Sequence, residues 1–293
     1  MSSSPASSKV VVDVEGRHVA LTNLEKVLYP DGFTKGQVID YYSRIAPVLL
    51  PHLADRAVTR KRYPNGVDGQ VFFEKNAPRG TPDWVRTAVL PSPGSDKGRD
   101  TIEYVVIDDL ATLVWTANLA ALELHTHMWK VGRKTPDLLV LDLDPGPPAT
   151  VVECCEVALL LRDRLAEDGV EACPKTSGSK GLQLYARAPV RDTSAYAKHL
   201  AETFARSHPE LVVSRMAKAA RPGKVLLDWS QNNPAKTTVT AYSLRAQPHP
   251  TVSTPVTWDE VATCRRPEDL VYTSDDVLER VAAHGDLFAP LLG

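Results

Sequence analysis

The stretch Leu138–Pro145 reads Leu-Leu-Val-Leu-Asp-Leu-Asp-Pro, an apolar run that ends in two aspartates on either side of one leucine. Because successive side chains on a strand point to opposite faces, Asp142 and Asp144 are predicted to share one face while Leu143 turns into the core. Unpaired negative charge beside an apolar core is unfavourable, so a cation is expected between the carboxylates. Oxygen ligands suit Mg²⁺ or Mn²⁺. Acidic doublets also serve as turn or helix-capping residues, and this stretch alone leaves both roles open.

The length and charge of the chain limit what it can do. Its 293 residues suffice for one large or two modest domains with a real core. A formal net charge of −2 and a pI near 6.5 argue against a protein that coats duplex DNA over a long footprint, because such proteins are strongly basic. A local basic groove is compatible with these values.

The cysteines and the N-terminus indicate the compartment. The four cysteines form no Cys-x-x-Cys pair and lie at no zinc-ligand spacing, which favours the reducing cytoplasm. Residues 1–8 are polar and are expected to be a disordered tail, and no apolar run approaches the ~18 residues of a membrane span. We expect residues 9–293 to form one compact unit with two lobes.

Apolar periodicity and turn residues predict the main elements. A hairpin is expected over residues 9–22 around Glu15-Gly16, and strands over 57–63, 71–75, 101–107, 170–175, 182–187 and 225–228. Helices are expected from Thr34, over 108–124, 150–169, 193–207 and 274–284, the first and third of them opened by capping boxes. Residues 91–100 are expected to form a loop tip.

A third aspartate follows a similar strand. Asp228 ends Val-Leu-Leu-Asp much as Asp142 ends its own run, and three strand-end carboxylates suit a two-metal centre. Basic residues near this strand and further along the chain would suit a triphosphate: Lys218, Arg221, Lys224, Lys236 and Arg245.

Two further segments have alternative interpretations. Residues 176–181, with Lys180, are either a nest whose free N–H groups wrap a triphosphate or a glycine-rich hairpin turn, and their order does not match a Walker A loop. Residues 60–62, all basic, stand near Phe72 and Phe73, which suits a nucleotide surface. The other reading is a solvated edge strand with one phenylalanine in the core.

Two single residues are also ambiguous. Lys35 stands at a helix N-terminus, where a cation opposes the helix dipole unless an anion docks there; otherwise Lys26 and Lys35 are surface lysines. His125, expected at the end of the helix over 108–124, is either a structural hydrogen-bonding group or part of the site.

Seven motifs occur in a fixed order: Thr59-Arg-Lys-Arg-Tyr-Pro-Asn-Gly66, Phe72-Phe-Glu-Lys75, Leu122-Glu-Leu-His125, Asp142-Leu-Asp144-Pro, Thr176-Ser-Gly-Ser-Lys-Gly-Leu182, Gly223-Lys-Val and Asp228-Trp-Ser-Gln-Asn232. Together they resemble the polymerase module of bacterial non-homologous end-joining ligases, the ligase D family, in the archaeo-eukaryotic primase superfamily. The resemblance implies a mixed α/β fold with an antiparallel-rich central sheet of primase-polymerase type, flanking helices and an N-terminal α/β lobe.

The resemblance also implies roles for individual residues. Asp142 and Asp144 would bind both of two Mg²⁺ or Mn²⁺ ions, and Asp228 would join the one that activates the primer 3′-hydroxyl. His125 would contact the sugar of the incoming nucleotide, and Phe72 and Phe73 would stack on bases. The triphosphate would be held by Ser177, Lys180, Lys61, Arg221 and Arg245, with Gln231 nearby. Asn23, Lys26 and Lys35 would grip a DNA 5′-phosphate.

The function implied is template-dependent extension of a primer with NTPs or dNTPs, ribonucleotides being favoured, at DNA gaps and ends during non-homologous end joining. Ku and an ATP-dependent DNA ligase, in cis or in trans, would be partners, and the location would be cytoplasmic and nucleoid-associated. Two other classes stay open. A two-metal nuclease or phosphodiesterase could use the same three acids, and a non-catalytic DNA-end-binding module would need only the basic and aromatic surface.

Overall fold

The computed structural model describes residues 9–92 and 100–293, so the predicted tail and most of the predicted loop tip at 91–100 lie outside the described residues. The chain divides into two compact units. We call Met1–His125 with Leu244–Pro250 the N-terminal unit, and Thr126–Ser243 with Thr251–Gly293 the C-terminal unit. Within the described ranges, no helix has both the length and the apolar character needed to cross a membrane.

The N-terminal unit combines strands with two helices. Its elements are β1 (Lys9–Val14), β2 (Arg17–Thr22), α1 (Lys35–Leu53), β3 (Ala57–Arg62), β4 (Phe72–Glu74), β5 (Thr87–Pro91), β6 (Thr101–Val106), α2 (Leu110–Asn118) and β7 (Ala121–Thr126), whose last residue belongs to the other unit. Strands β7, β3, β6 and β5 are neighbours in that order, and β4 pairs with β3. β1 and β2 form the predicted hairpin, with Glu15 and Gly16 at φ values of 52° and 78°. A positive φ at both turn residues matches the twist of a tight hairpin.

The two helices of this unit begin at the predicted caps. Thr34 accepts from the Gln37 backbone N–H while the Gln37 side chain accepts from the Thr34 N–H, the expected capping box. Asp109 caps α2 through the Thr112 N–H at 2.8 Å. Capped starts were therefore readable from the sequence.

The end of α2 was predicted wrongly. The helix stops at Asn118 instead of continuing to Leu124, and Ala120 adopts a left-handed φ of 57° before β7 begins. Residues 121–124 are all buried, so β7 is covered on both faces and lacks the polar alternation that identifies a half-exposed strand. His125 accordingly lies on a strand and not at a helix end.

The C-terminal unit is built on a five-stranded sheet in the order β11-β12-β8-β10-β9, antiparallel except for the pair β11 and β12. Its elements are β8 (Leu138–Pro145), α3 (Val151–Glu167), β9 (Ala172–Thr176), β10 (Leu182–Arg187), α4 (Thr193–Ser207), β11 (Val212–Val213), β12 (Val225–Asp228), β13 (Thr238–Val239), α5 (Trp258–Thr263) and α6 (Ser274–His284). Short 3₁₀ turns cover Lys218–Ala220, Trp229–Asn232, Pro267–Leu270 and Ala289–Leu291.

The two faces of this sheet differ in chemistry. Leu139, Leu141 and Leu143 of β8 lie in one buried apolar cluster together with residues of α3 and α4. Each leucine contributes about 1.5–3 kcal/mol by leaving water, which sets the register of the strand. Asp142 must then point to the opposite face. The prediction that Leu143 faces the core is confirmed.

Asn232 extends the sheet beyond the end of β12. Its side-chain Oδ1 accepts from the Val140 backbone N–H at 3.0 Å, and its Nδ2 donates to the Val140 carbonyl at 2.7 Å. The amide thereby satisfies a backbone position of β8 that would otherwise require another strand. Because Asn232 is fully buried, this pair of bonds fixes the 3₁₀ turn after Asp228 against β8.

Candidate active site

Asp142 and Asp228 lie side by side. In the antiparallel pair of β8 and β12, Asp228 is the direct cross-strand partner of Asp142, and Asp144 is opposite Leu226. Asp142 is 8% exposed and Asp228 is 6% exposed, whereas Asp144 is exposed to solvent. Like charges directly opposite one another destabilise a sheet, and here the pair is also largely removed from water.

The cost of this arrangement is visible in the titration of Asp142. Burial, and after it the nearby charge of Asp144, raise the pKa of Asp142 well above its ordinary value, with Asp228 adding to the effect. A hydrogen bond from Gln183 and the charge of Lys175 act in the opposite direction. A proton or a cation bound to these carboxylate oxygens would therefore stabilise this part of the structure.

Asp228 is held by its own turn. Its Oδ1 accepts from the Ser230 backbone N–H at 2.9 Å and from the Ser230 hydroxyl at 2.6 Å, and its Oδ2 accepts from Gln231 Nε2 at 2.9 Å. Lys236 in turn donates to the Ser230 hydroxyl. Gln231, predicted to lie near the triphosphate, is thus in direct contact with the third aspartate.

The side chains of Asp142, Asp144 and Asp228 offer only carboxylate oxygens to a divalent cation. Oxygen-only ligands with excess negative charge fit Mg²⁺ or Mn²⁺. Among residues 9–92 and 100–293, however, no three acidic, histidine or cysteine side chains converge as a ready-made metal site. The structure makes Asp142 and Asp228 direct neighbours, but the three predicted ligands do not converge on one common position.

The loop at residues 176–181 lies against β8 between the two aspartates of that strand. A Cβ on Gly181 would come within 2.2 Å of the Leu143 carbonyl oxygen, so only glycine permits this approach. The N–H groups of Ser179 and Gly181 donate to the Ser177 hydroxyl at 3.2 and 3.0 Å. The expectation of free N–H groups is therefore wrong for these two, because the serine hydroxyl offers a local acceptor. Lys180 is exposed at the loop surface.

Arg221 is placed by a second close approach. A Cβ on Gly146 would come within 2.1 Å of the Arg221 carbonyl oxygen, and Gly146 donates its N–H to the Lys224 carbonyl at 2.8 Å. Arg221 Nη2 donates to the Met216 carbonyl at 2.7 Å. The basic loop is consequently fixed to the chain two residues beyond Asp144.

In the N-terminal unit, three of the predicted nucleotide-binding residues share one partner, Glu123 of β7. Lys61 Nζ lies 2.8 Å from Glu123 Oε2, His125 Nε2 lies 2.8 Å from the same oxygen, and Arg245 Nε lies 3.4 Å from Oε1. Glu123 is only 1% exposed. Although burial opposes the charge, the bond from His125 and the charges of Arg245, His125 and Lys61 lower the pKa of Glu123 far below its ordinary range.

Arg245 reaches this cluster from a distant part of the sequence. The Ala246 N–H donates to Glu123 Oε1 at 3.1 Å, and the Tyr29 hydroxyl donates to the Arg245 carbonyl at 3.1 Å. The hydroxyl of Tyr42 accepts from the Leu244 N–H at 3.1 Å. These bonds hold residues 244–250 within the N-terminal unit, where Lys61, His125 and Arg245 lie together around Glu123.

The two predicted stacking residues face opposite ways. Phe72 pairs with Arg62 and Phe73 with Lys61 across β4 and β3, so alternation separates their rings. Phe73 lies 6.4 Å, edge-on, from the ring of His125. Both phenylalanines are exposed, at 37% and 56%, so the alternative that one is a core residue is wrong.

The predicted phosphate-gripping residues meet at the start of α1. The Lys35 N–H donates to the Lys26 carbonyl at 2.8 Å, and the Lys26 N–H donates to the Asn23 carbonyl at 3.0 Å. Lys35 is only 5% exposed, which rules out an ordinary surface lysine. Burial, Lys26 and Arg62 lower the pKa of Lys35 to about 8. Lys35 Nζ donates to the Thr22 hydroxyl at 3.2 Å, and the nearby charges of Lys26 and Arg62 make this position favourable for an anion.

Sequence reasoning missed Glu123, Gln183 and Lys175. Glu123 stood within a quoted motif, two residues before His125, and that spacing places both side chains on one face of a strand. The wrongly extended helix hid this relation. Gln183 and Lys175 carried no local signal, because their importance depends on which strands are neighbours.

Comparison with known proteins identifies the class of protein. Residues 34–288 match the family described as "LigD, primase-polymerase domain". A "Multifunctional non-homologous end joining protein LigD" from Mycolicibacterium smegmatis is 44% identical over 281 residues, covering 93% of this chain and 36% of the relative. A "Bifunctional non-homologous end joining protein LigD" from Bacillus subtilis is 32% identical over 270 residues, covering 90% of this chain and 42% of the relative.

A solved structure agrees. The "Polymerase Domain from Mycobacterium tuberculosis Ligase D in complex with DNA" matches with a TM-score of 0.87 and 41% identity, covering 94% of this chain and 98% of that one. The chain therefore belongs to the LigD primase-polymerase domain family. It spans well under half the length of the LigD relatives, and their names refer to non-homologous end joining. The resemblance drawn from the motifs and the predicted mixed, antiparallel-rich α/β fold are both confirmed.

The Glu123 cluster leads to a prediction about stability. Glu123→Gln leaves the partly buried cations Lys61 and Arg245 without their counter-charge, and we expect the free energy of unfolding at pH 7 to fall by about 1.5–3 kcal/mol, the worth of hydrogen bonds to a charged group. Because the folded pKa of Glu123 is depressed, its contribution is complete above the unfolded value near 4.5 and is lost as the pH falls below it. Urea denaturation at pH 7 and below pH 4 should therefore show a smaller difference between wild type and variant at the lower pH. The exposed Glu103→Gln is the control, and an equal effect from it would contradict the prediction.

Proposed function

We propose that this chain is a template-dependent nucleotidyltransferase that extends DNA or RNA primers, favours ribonucleotides, and fills gaps and ends during non-homologous end joining. Membership of the LigD primase-polymerase family is the first support. The main observation in support is the buried, cross-strand pair of Asp142 and Asp228, with Asp144 beside it. Buried carboxylates so close together are unfavourable unless a cation binds to them.

Asp142, Asp144 and Asp228 would hold two Mg²⁺ or Mn²⁺ ions. Bound there, such ions would lower the pKa of the primer 3′-hydroxyl and neutralise charge on the departing pyrophosphate. The mutual repulsion of these carboxylates and the burial of two of them support the assignment, because a divalent cation relieves both.

The remaining groups of the C-terminal unit would hold the triphosphate. Lys180 and Ser177 stand on the loop that Gly181 allows to touch β8 next to Asp144. Arg221 stands on the loop that approaches Gly146, the residue directly after β8. The bond from Arg221 to the Met216 carbonyl holds its guanidinium in one orientation, and the exposed Lys180 would reach the phosphate from the fixed backbone of its loop. Gln231 would keep Asp228 in its working rotamer.

In the N-terminal unit, the hydrogen bond to Glu123 determines which ring nitrogen of His125 is left to bind a ligand. Burial lowers the pKa of His125, so the imidazole is neutral at pH 7, and its Nε2–H points to Glu123. Nδ1 is then the acceptor nitrogen, suited to the 2′-hydroxyl of a ribose, which supports a preference for ribonucleotides. Lys61 and Arg245 would bind phosphate, while Phe73, and Phe72 on the other face of β4, would stack on bases.

Asn23, Lys26 and Lys35 would bind the 5′-phosphate of a DNA gap or end. Gripping one phosphate, instead of a long duplex, agrees with the net charge of −2. Ku and an ATP-dependent DNA ligase would be the partners, either on the same polypeptide or separate, in the nucleoid region of the cytoplasm. The names of the longer LigD relatives support this pathway.

The central test is Asp228→Asn. Removing one of two opposed charges should leave the melting temperature unchanged or higher, while extension of a 5′-phosphorylated gapped duplex in Mg²⁺ or Mn²⁺ falls by about a thousandfold or more, equivalent to about 4 kcal/mol. Asp163→Asn, on the exposed side of α3, is the matched control. Full activity in Asp228→Asn would refute the metal role. DNA degradation without nucleotides would instead favour a nuclease.

The sugar contact is tested by His125→Ala. We expect the ratio of ribonucleotide to deoxyribonucleotide incorporation to fall about threefold to tenfold, because one net hydrogen bond is worth about 0.5–1.5 kcal/mol. Single-nucleotide incorporation on the same gapped substrate measures the ratio, and the exposed His18→Ala serves as the control. An unchanged ratio removes the sugar-sensing role.

The phosphate site predicts a pH dependence. The gain in affinity from a 5′-phosphate over a 5′-hydroxyl should be greatest near pH 7, where the terminal phosphate (second pKa about 6) is mostly doubly charged. It should decline as the pH rises through about 8, where Lys35 loses its proton. Lys35→Arg should abolish that decline, and Lys35→Ala should remove most of the gain at pH 7. Fluorescence anisotropy with the two forms of one duplex gives the difference directly. A gain that survives in Lys35→Ala at full size would show that the phosphate binds elsewhere.

A further inference from the structure

Four polar side chains form a row across the five-stranded sheet, on the face opposite the apolar cluster. Cross-strand registers place Lys175 of β9 opposite Gln183 of β10, Gln183 opposite Asp142 of β8, and Asp142 opposite Asp228 of β12. Lys175 is fully buried and Gln183 is 4% exposed. Neither was among the predicted site residues. Burying a lysine is costly, so its place in this row requires an explanation.

The bonds along the row have one direction. Lys175 Nζ donates to Gln183 Oε1 at 2.5 Å and to the Ser253 hydroxyl at 2.6 Å. Gln183 Nε2 then donates to Asp142 Oδ1 at 2.9 Å. An ammonium group can only donate, so it fixes which end of the Gln183 amide faces β9. The NH₂ end is thereby directed to Asp142.

We propose that Lys175 and Gln183 are positioning residues that hold the Asp142 carboxylate for a divalent cation, an inference that rests on the proposed metal role of Asp142. Lys175 sets the orientation of the amide, and the amide occupies Oδ1 so that Oδ2 is presented in a fixed direction. Asp142 then needs no rearrangement when a cation arrives. Partners of this kind, one shell beyond a ligand, change metal affinity by about 10–100-fold when they are removed.

Charge and orientation make opposite predictions for Lys175. If the ammonium acted only through its charge, Lys175→Met would remove a repulsive cation and tighten binding of a divalent ion. If it acts by orienting Gln183, the same change frees the amide to rotate and weakens binding. The sign of the effect therefore separates the two mechanisms.

The experiment measures Mn²⁺ binding to the protein without DNA or nucleotide, by the electron paramagnetic resonance signal of free Mn²⁺. We expect Gln183→Met and Lys175→Met each to raise the dissociation constant for Mn²⁺ by about tenfold or more. The double variant should be no weaker than Gln183→Met alone, because both residues act along one path. It also replaces a bonded polar pair by an apolar pair of similar shape, so it should fold even if Lys175→Met does not.

Ser253→Ala is the matched control. It removes a hydroxyl bonded to Lys175 but leaves the bonds from Lys175 to Gln183 and from Gln183 to Asp142 in place. We expect a lower melting temperature with Mn²⁺ affinity within twofold of wild type. Equal loss of affinity in Ser253→Ala, additive losses in the double variant, or unchanged or tighter binding in Lys175→Met or in the double variant would overturn the inference. Equal, weak binding by wild type and Asp228→Asn would instead refute the proposed metal role itself.

Discussion

The C-terminal unit depends on an electrostatic conflict: two carboxylates, Asp142 and Asp228, face each other across the centre of an antiparallel sheet. The sheet tolerates the pair because its other face is fixed by Leu139, Leu141 and Leu143, and a shift of one residue would expose all three. The apolar face therefore determines the register of the strands, and that register places Asp142 opposite Asp228 on the polar face. The glycines that allow two loops to approach the end of β8 place basic residues close to the strand that carries this charge.

The N-terminal unit also contains a buried carboxylate, Glu123, but there the charge is compensated by neighbouring side chains. Glu123 is as buried as Asp142, yet its pKa is lowered because His125, Arg245 and Lys61 surround it, whereas that of Asp142 is raised by burial and by Asp144. Glu123 lies in direct contact with the cations Lys61 and Arg245, whereas the cation Lys175 reaches Asp142 through Gln183. A carboxylate whose charge is compensated, such as Glu123, orients the side chains that bond to it. A carboxylate whose charge is poorly compensated, such as Asp142, is a candidate for binding a ligand.

Local features were predicted well and long-range ones poorly. The capping boxes at Thr34 and Thr150 fixed the starts of α1 and α3, and the positions of β8, β10 and β12 followed from apolar runs bounded by turn residues. The helix drawn through Leu124 failed because a strand buried on both faces has no diagnostic period. The three aspartates were singled out because they follow apolar runs, and the structure places two of them, Asp142 and Asp228, side by side. Glu123, Gln183 and Lys175 were not, because their roles arise from strand neighbours that no local pattern encodes.

Hydrogen-bond capacity also distinguishes the two buried aspartates. A carboxylate offers about four lone-pair positions, and within the described ranges Asp228 uses three of them for Ser230 and Gln231. Asp142 uses one, for Gln183. Asp228 thus has room for one further ligand and Asp142 for several. That difference supports the proposed roles, in which Asp142 would be a ligand of both cations and Asp228 of one. It also makes the hydrogen bond from Gln183 important for the direction in which Asp142 offers its remaining lone pairs.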